Sequence, residues 1–287
     1  MKTDFVFDME TGDPDDFLTL FLLLGHPKVN LKAVTVTPGT TGQIGLVKWA
    51  CQQFGRQLPI GSFNPAHDKN CVSAWHYNVF GKISEAKPSD LGGVILKDLC
   101  NKSTILVTGA PLKNMKLAMD LGFVAAELVA QGGFAGMGVV PDDKQLIKFK
   151  GKTTCPTYNL NGDSQSALRL LTYEGIPKRW FVSKNVCHGV KYDQELHKRV
   201  YILKEKSLSL SLIYKGMDAY LTKNHEGKKF HDPLAACCAI DRSIGIWKEV
   251  LLYKEKGEWG SKLCEGTNTK IIIDYDREKF INTLLEI

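Results

Sequence analysis

The sequence has no long hydrophobic run. A membrane-spanning helix needs about 18 or more consecutive apolar residues, and the longest apolar stretch, residues 17–24, is already interrupted by Thr19. The start shows no secretory signal pattern, because Asp4 and Asp8 fall where an apolar core would stand. The 8 cysteines contain no Cys-x-x-Cys and are far too sparse for a disulfide scaffold, so they read as reduced thiols in a cytoplasmic protein. A basic stripe interleaved with aromatics is also missing. Lys and Arg exceed Asp and Glu by 37 to 31, giving +6. The cations nevertheless fall singly or in pairs such as Lys178-Arg179, Lys198-Arg199 and Lys228-Lys229. That pattern is a solvated surface and excludes nucleic acid as a partner, as the missing apolar run excludes a membrane. Repeats and low-complexity linkers are absent too, so residues 1–287 are expected to form one domain.

What is present is ordinary globular composition, 44% hydrophobic and 24% charged, in a chain long enough to bury a large core. Short β-branched or aromatic runs alternate with helical stretches. Strands are expected at 5–7, 31–37, 58–61, 104–108 and 180–182, with late strands at 249–253 and 270–274. Helices are expected at 17–24, 43–54 and from Pro111 onward. Further helices are expected at 163–173 with Asp163 as N-cap, over 193–220 as two pieces, at 233–240 and at 277–286. Strand–loop–helix repetition of this kind predicts an α/β fold: an open, mostly parallel sheet with helices on both faces. In such sheets ligands bind beyond the carboxyl ends of the strands. The loops that matter are therefore 8–16, 37–41, 109–114 and 132–138.

The first of these loops is unusual. Asp8-Met9-Glu10-Thr11-Gly12-Asp13-Pro14-Asp15-Asp16 carries five carboxylates in nine residues, where a proportional share would be about one. Like charges at this density repel. A helix N-terminus near Pro14 offsets part of the repulsion, and a divalent cation would offset far more. Carboxylates without Cys or His nearby suit a hard ion, Ca2+ or Mg2+. The loop lacks the ligand spacing of an EF-hand and has the wrong charge for a phosphate cradle.

The loop resembles the D-x-D-P-G-x-D-D signature of the inosine-uridine-preferring nucleoside hydrolases, and the resemblance continues in order along nearly the whole chain. Ala33-Val34-Thr35-Val36-Thr37-Pro38-Gly39-Thr40 is similar to the family's I-T-T-V-x-G-N segment. Gly109-Ala110-Pro111-Leu112-Lys113-Asn114 resembles G-P-L-T-N, and Gln131-Gly132-Gly133 falls at M-G-G. Thr157-Tyr158-Asn159 with Asp163 resembles E-F-N-x-x-x-D, and His231-Asp232-Pro233-Leu234-Ala235 is the family's H-D-P-L-A.

The resemblance implies an open α/β sheet and Ca2+-dependent hydrolysis of the N-glycosidic bond of a ribonucleoside to free base and ribose. It implies a homodimer or homotetramer. It implies Ca2+ held by Glu10, Asp16, Asp232 and the Lys113 carbonyl, with Asp15 and Asn159 on the ribose hydroxyls. A water activated near the metal attacks the anomeric carbon, through an oxocarbenium-like transition state. His231 is the expected proton donor to the departing base, with an ordinary pKa near 6.5 suited to the task. His76 falls where the family often places a leaving-group histidine, although a structural role fits it as well.

The chain also departs from the pattern. Its acidic loop is one residue longer and its second carboxylate is Glu10 rather than Asp. The water-activating base is therefore Glu10, Asp8 or Asp13, and Asp8 or Asp13 could replace Glu10 on the metal. Thr40 and Thr157 stand where the family has an Asn and a Glu that grip ribose hydroxyls. A changed 5′ end follows: a modified nucleoside such as queuosine, or a nucleoside monophosphate. A non-catalytic nucleoside- or metal-binding protein on the same fold is the reading from a different class.

Overall fold

The computed structural model describes residues 2–287. Its main sheet has eleven strands in the order β4-β3-β2-β1-β5-β6-β8-β13-β11-β12-β7. Here β1 is Thr3–Met9, β2 Val29–Val36, β3 Ile60–Ser62, β4 Asp90–Leu91, β5 Ile105–Thr108, β6 Glu127–Gln131, β7 Thr154–Cys155 and β8 Arg179–Val182. A separate two-stranded ribbon pairs β9 (Lys191–Tyr192) with β10 (Lys228–Lys229), and β11 (Gly245–Glu255), β12 (Glu258–Leu263) and β13 (Thr269–Tyr275) complete the set. From β4 to β13 every neighbouring pair is parallel. Beyond β13 the pairing turns antiparallel.

Strand β1 lies inside the sheet, between β2 and β5, and is buried on both faces. Phe5, Phe7 and Met9 point to one side and Val6 to the other, in the two-residue period of a strand. The first set packs beneath the helices Pro14–Gly25, Thr41–Gln53, Leu208–Leu221, His231–Ile240 and Arg277–Leu284. Val6, Leu106, Leu128, Phe181 and Ile271 form the other face, beneath Gly92–Leu99, Lys113–Asp120 and Ser164–Leu171. Among the described residues no helix is long and apolar enough to cross a membrane.

From β1 the chain moves outward one way through β2, β3 and β4, then returns to add β5 and β6 on the other side. Strand order therefore reverses between β1 and β5. The crevice at their carboxyl ends is where a parallel sheet leaves room for a ligand.

The sequence pattern placed six of the eight strands in the parallel run within about two residues. It missed the other two, β4 and β6, and also β7, β9, β10 and β12. Strand β6 has only Leu128, Val129 and Ala130 as an apolar run, bracketed by Glu127 and Gln131. Strand β12 contains Gly260 and Lys262 and lacks a clean apolar alternation, so its pairing with β11 specifies it rather than its composition. The turn between them is Lys256-Gly257, with φ of 49° and 85°, the double positive φ that a two-residue hairpin requires. The helix expected to open at Pro111 starts instead at Lys113, because the Lys113 amide donates to the Pro111 carbonyl at 2.7 Å in a tighter turn first.

Candidate active site

The acidic loop leaves β1 and runs directly into the Pro14–Gly25 helix. Asp13 is its N-cap, accepting from the Asp15 amide at 3.4 Å, and Pro14 supplies the first helical residue. That start places Asp15 and Asp16 in the first turn, both 2% exposed. Exposed amides at the helix end favour carboxylates there. A second helix N-terminus meets the first. The amides of His231 and Asp232 both donate to Asp15 Oδ2, at 3.0 and 3.4 Å. Asp232 is thereby brought against a loop more than two hundred residues earlier.

Asp15, Asp16 and Asp232 each offer a carboxylate oxygen, and the three atoms lie within 4.8 Å of one another. Asp232 Oδ1 is buried and has no hydrogen-bond partner among the described residues. Beneath them is Gly109, where even a methyl group would come within 2.6 Å of Asp232 Oδ1 and 2.8 Å of Asp16 Oδ1. Burial, aggravated by the neighbouring carboxylates, drives the Asp16 and Asp232 carboxyls well above the ordinary range. Converging oxygen ligands, an orphaned carboxylate oxygen and a floor kept clear by glycine together fit a hard divalent cation.

A cavity of about 490 Å3 opens over this cluster. Glu10, Asp13, Asp15, Asp16, Gly109, Thr157, Tyr158, Asn159, His231 and Asp232 line it, and Gly12, Gln131, Lys184 and His188 complete the wall. Tyr158 donates its hydroxyl to Glu10 Oε2 at 3.2 Å, and the Glu10 amide donates to Asp16 Oδ1 at 3.2 Å. Burial, with the Asp13 and Asp15 charges, lifts the Glu10 carboxyl to about 7 against the opposing Tyr158 hydrogen bond. Asn159 Nδ2 is held by the Gly109 carbonyl at 2.9 Å and by Gln131 Oε1 at 2.7 Å, which leaves its own oxygen for a ligand.

The structure gathers Glu10, Asp15, Asp16, Asn159, Thr157, His231 and Asp232 at one cavity and leaves four expected residues outside it. Asp8 sits inside the sheet. Its strand register places it beside Thr35 and Thr108. Thr35 and Asn114 donate to its Oδ1 at 2.6 and 2.8 Å and Thr108 to its Oδ2 at 3.0 Å. Both oxygens are thus committed to the sheet rather than to an ion, although burial still lifts this carboxyl to about 6. Thr40 is the N-cap of the Thr41–Gln53 helix, in a capping box with Gln43. Lys113 is absent from the cavity lining and sets its ammonium over the Phe63 ring.

His76 is fully buried and stands outside the cavity lining. Its Nδ1 meets the Ser73 carbonyl at 3.0 Å, its ring packs on Phe17 and Trp75, and burial lowers its pKa to about 4. Asp13 is also committed, as N-cap and as partner of Lys228 at 2.7 Å. Of the three candidate bases, Glu10 alone faces the cavity without such an engagement. His231 differs from expectation in its acidity. Burial, then the charges of Lys228, Lys229 and Lys148, lower it to about 4 despite Asp13, so the imidazole is neutral at pH 7.

Several residues of the site escaped the sequence reading. Lys228 is 5% exposed, between Asp13 and Asp15. Burial opposes its charge, but the two carboxylates outweigh that and hold its pKa above the ordinary value. In the sequence it looked like half of a solvated pair. Tyr158 was quoted only within a motif. Lys184 and His188 follow the carboxyl end of β8, and the rule that ligands sit beyond strand ends would have found them had that loop been included.

The chain matches the family described as inosine-uridine preferring nucleoside hydrolase over residues 5–282. It is 30% identical over 286 residues to an uncharacterized protein of Aquifex aeolicus (strain VF5), covering 96% of this chain and 95% of that one. Among solved structures, a plant nucleoside hydrolase superimposes with a TM-score of 0.72 at 16% identity, covering 100% of this chain and 98% of that one. The inosine-uridine preferring nucleoside hydrolase of Bacillus anthracis gives 0.69 at 14% identity, covering 99% and 98%. The purine-preferring ribonucleoside hydrolase of Gardnerella vaginalis gives 0.66 at 15%, covering 99% and 97%.

Proposed function

The chain belongs to the inosine-uridine preferring nucleoside hydrolase family, and from that premise we propose how it splits an N-glycosidic bond: as a Ca2+-dependent ribohydrolase with Glu10 as general base. The observation that carries this reading is the convergence of Asp15, Asp16 and Asp232, with one buried carboxylate oxygen left unpartnered. Asp16 and Asp232, with Glu10, would hold the cation. When bound, the cation neutralises the cluster and lowers the pKa of a nearby water.

The protein's own groups supply the rest. Glu10, whose carboxyl pKa is raised by burial in the metal-free protein and whose side chain is turned by Tyr158, takes the proton of the attacking water. Asp15 is locked by two backbone amides and Asn159 by Gly109 and Gln131, so both present fixed oxygens to ribose hydroxyls. The surrounding carboxylates stabilise positive charge as it develops on the ribose ring. His231 at neutral pH offers an N–H to the departing base as a hydrogen bond, rather than a proton from an imidazolium.

Ribose release should be measured across purine and pyrimidine ribonucleosides before and after chelation, with Ca2+ then restored. Loss on chelation and recovery with Ca2+ is the expected result. Activity indifferent to chelation would refute the metal assignment.

A further inference from the structure

Opposite the carboxylates, the cavity wall is positive. Lys184 and His188 line it, on the turn of helix that follows β8. The His188 ring stacks on His231 with centroids 4.7 Å apart, and Lys148 reaches His188 Nδ1 from the Ile147–Phe149 turn. Lys148 and Lys184 flank the Phe149 ring, with centroid distances of 4.8 and 6.0 Å, and Lys229 on β10 is near enough for its charge to act on Lys148. Lys184 lines the cavity, and Lys148 and Lys229 adjoin it through His188 and His231. Three chain segments thus deliver three ammonium groups and two imidazoles to one place.

Unlike Lys228, which pairs with Asp13 and Asp15, none of these three lysines has a carboxylate at ion-pair distance among the described residues. Partial burial and the charges of Lys229 and Lys184 pull the Lys148 pKa below its ordinary value. Like charges gathered this way repel one another even in water, so such a cluster calls for an anion. Thr157 supplies a second, independent sign. It is 3% exposed, lines the cavity, and its hydroxyl has no partner among the described residues. Lys184 is anchored beside it by donating to the Pro156 carbonyl at 2.8 Å.

Cys187, His188 and His231 could by distance hold a soft metal, their ligand atoms lying within 4.8 Å of one another. The lysines argue against a cation there. A departing base is charged only as its bond breaks, whereas this wall is charged before any substrate arrives.

We propose that Lys184, His188 and Thr157 of the wall, backed by Lys148 and Lys229, bind a phosphate carried by the substrate, so that the enzyme acts on ribonucleoside 5′-monophosphates in preference to nucleosides. The inference rests on the hydrolase reading of the same cavity. The reaction balances as monophosphate plus water giving free base and ribose 5-phosphate. The C1′–N bond breaks, the water oxygen bonds C1′, and the base departs with a proton.

The test compares kcat/KM for matched nucleosides and 5′-monophosphates in the Ca2+-loaded wild type, in Lys148→Gln and in Lys148→Gln/Lys184→Gln. Nucleosides with an acidic base form a further arm. The monophosphate is expected to lead by roughly tenfold or more, as charge-assisted hydrogen bonds allow, and this lead should shrink in the single variant and vanish in the double. Equal use of both substrates overturns the proposal, as does a lead that survives the double variant or a loss that is the same for both substrates. A preference for acidic bases without phosphate also overturns it.

Hydrolysis of nucleosides alone refutes the phosphate wall and leaves the hydrolase reading standing. Hydrolysis of nothing refutes that reading, and calorimetry then judges the wall separately. A monophosphate bound roughly tenfold more tightly than its nucleoside by the wild type, but not by the double variant, supports it. Equal binding overturns it.

Discussion

The ammonium of Lys228 lies 3.3 Å from Asp15 Oδ1, and both residues are almost sealed from solvent. A fixed cation therefore already sits at the edge of a cluster that fits a mobile one. Removing one partner of a buried pair leaves the other charge uncompensated, at a cost of about 3 kcal/mol. Lys228→Met should lower the melting temperature of metal-free protein. It should also enlarge the rise that Ca2+ produces, because a competing positive charge has gone. Differential scanning calorimetry with and without Ca2+ checks both. An unchanged Ca2+ increment would show that Lys228 and the ion do not interact.

Asp232 faces the opposite situation, since its Oδ1 has no partner and its neighbours are acids. Asp232→Asn removes a ligand and a buried like charge together. Metal-free protein should become more stable, by about 1 kcal/mol or more. The Ca2+-induced shift and ribose release should both be lost. A variant that keeps its Ca2+ response would remove Asp232 from the ligand set.

How far the site could be read in advance depended on chain locality. The loop from Asp8 to Asp16 is contiguous, so its excess of carboxylates stands out before any fold is known. Asp232 could be tied to it only through a motif, because the contact spans the whole sheet. Most of the parallel strands announced themselves because burial on both faces demands continuous apolar runs, but β6 did not, its three apolar residues being bracketed by Glu127 and Gln131. Strand β12 did not, since Gly260 and Lys262 pair through backbone alone. Asp8 misled because a carboxylate in an acidic loop and one locked between Thr35 and Thr108 look the same in one dimension. Only the register of β1 with β2 and β5 separates them. Lys228 misled for the converse reason, since nothing local tells a buried lysine from a solvated neighbour.

The acid cluster sets an unusual dependence of stability on pH. Burial lifts Asp8 to about 6 and, with nearby carboxylates, Glu10 to about 7, while Asp16 and Asp232 are pushed the same way. A carboxyl whose pKa is higher folded than unfolded binds its proton more tightly in the native state. Its stabilising contribution is complete below the unfolded value, near 4, and is lost as pH rises through the folded value. Metal-free protein should therefore melt at lower temperature as pH rises from about 5 through 7, and Ca2+ should flatten the decline by binding the charged form. Melting curves across that window decide it. A metal-free profile that rises with pH would refute this account of the carboxyls.

Tyr158 offers a sharper probe of the base. Its hydroxyl donates to Glu10 Oε2 at 3.2 Å and is the principal influence holding that carboxyl down against burial and the Asp13 and Asp15 charges. Tyr158→Phe removes the hydrogen bond and keeps the ring, which is 69% exposed and carries little packing. The Glu10 pKa should then rise. A base works only when deprotonated, so activity climbs with pH through its pKa. The acidic limb of the kcat/KM profile should move to higher pH, by roughly half a unit to one unit for one lost hydrogen bond to a charged acceptor. Activity at alkaline pH should stay close to wild type. A merely structural tyrosine would lower the profile at every pH without moving the limb, and a limb that stays in place would take Glu10 out of the role of base.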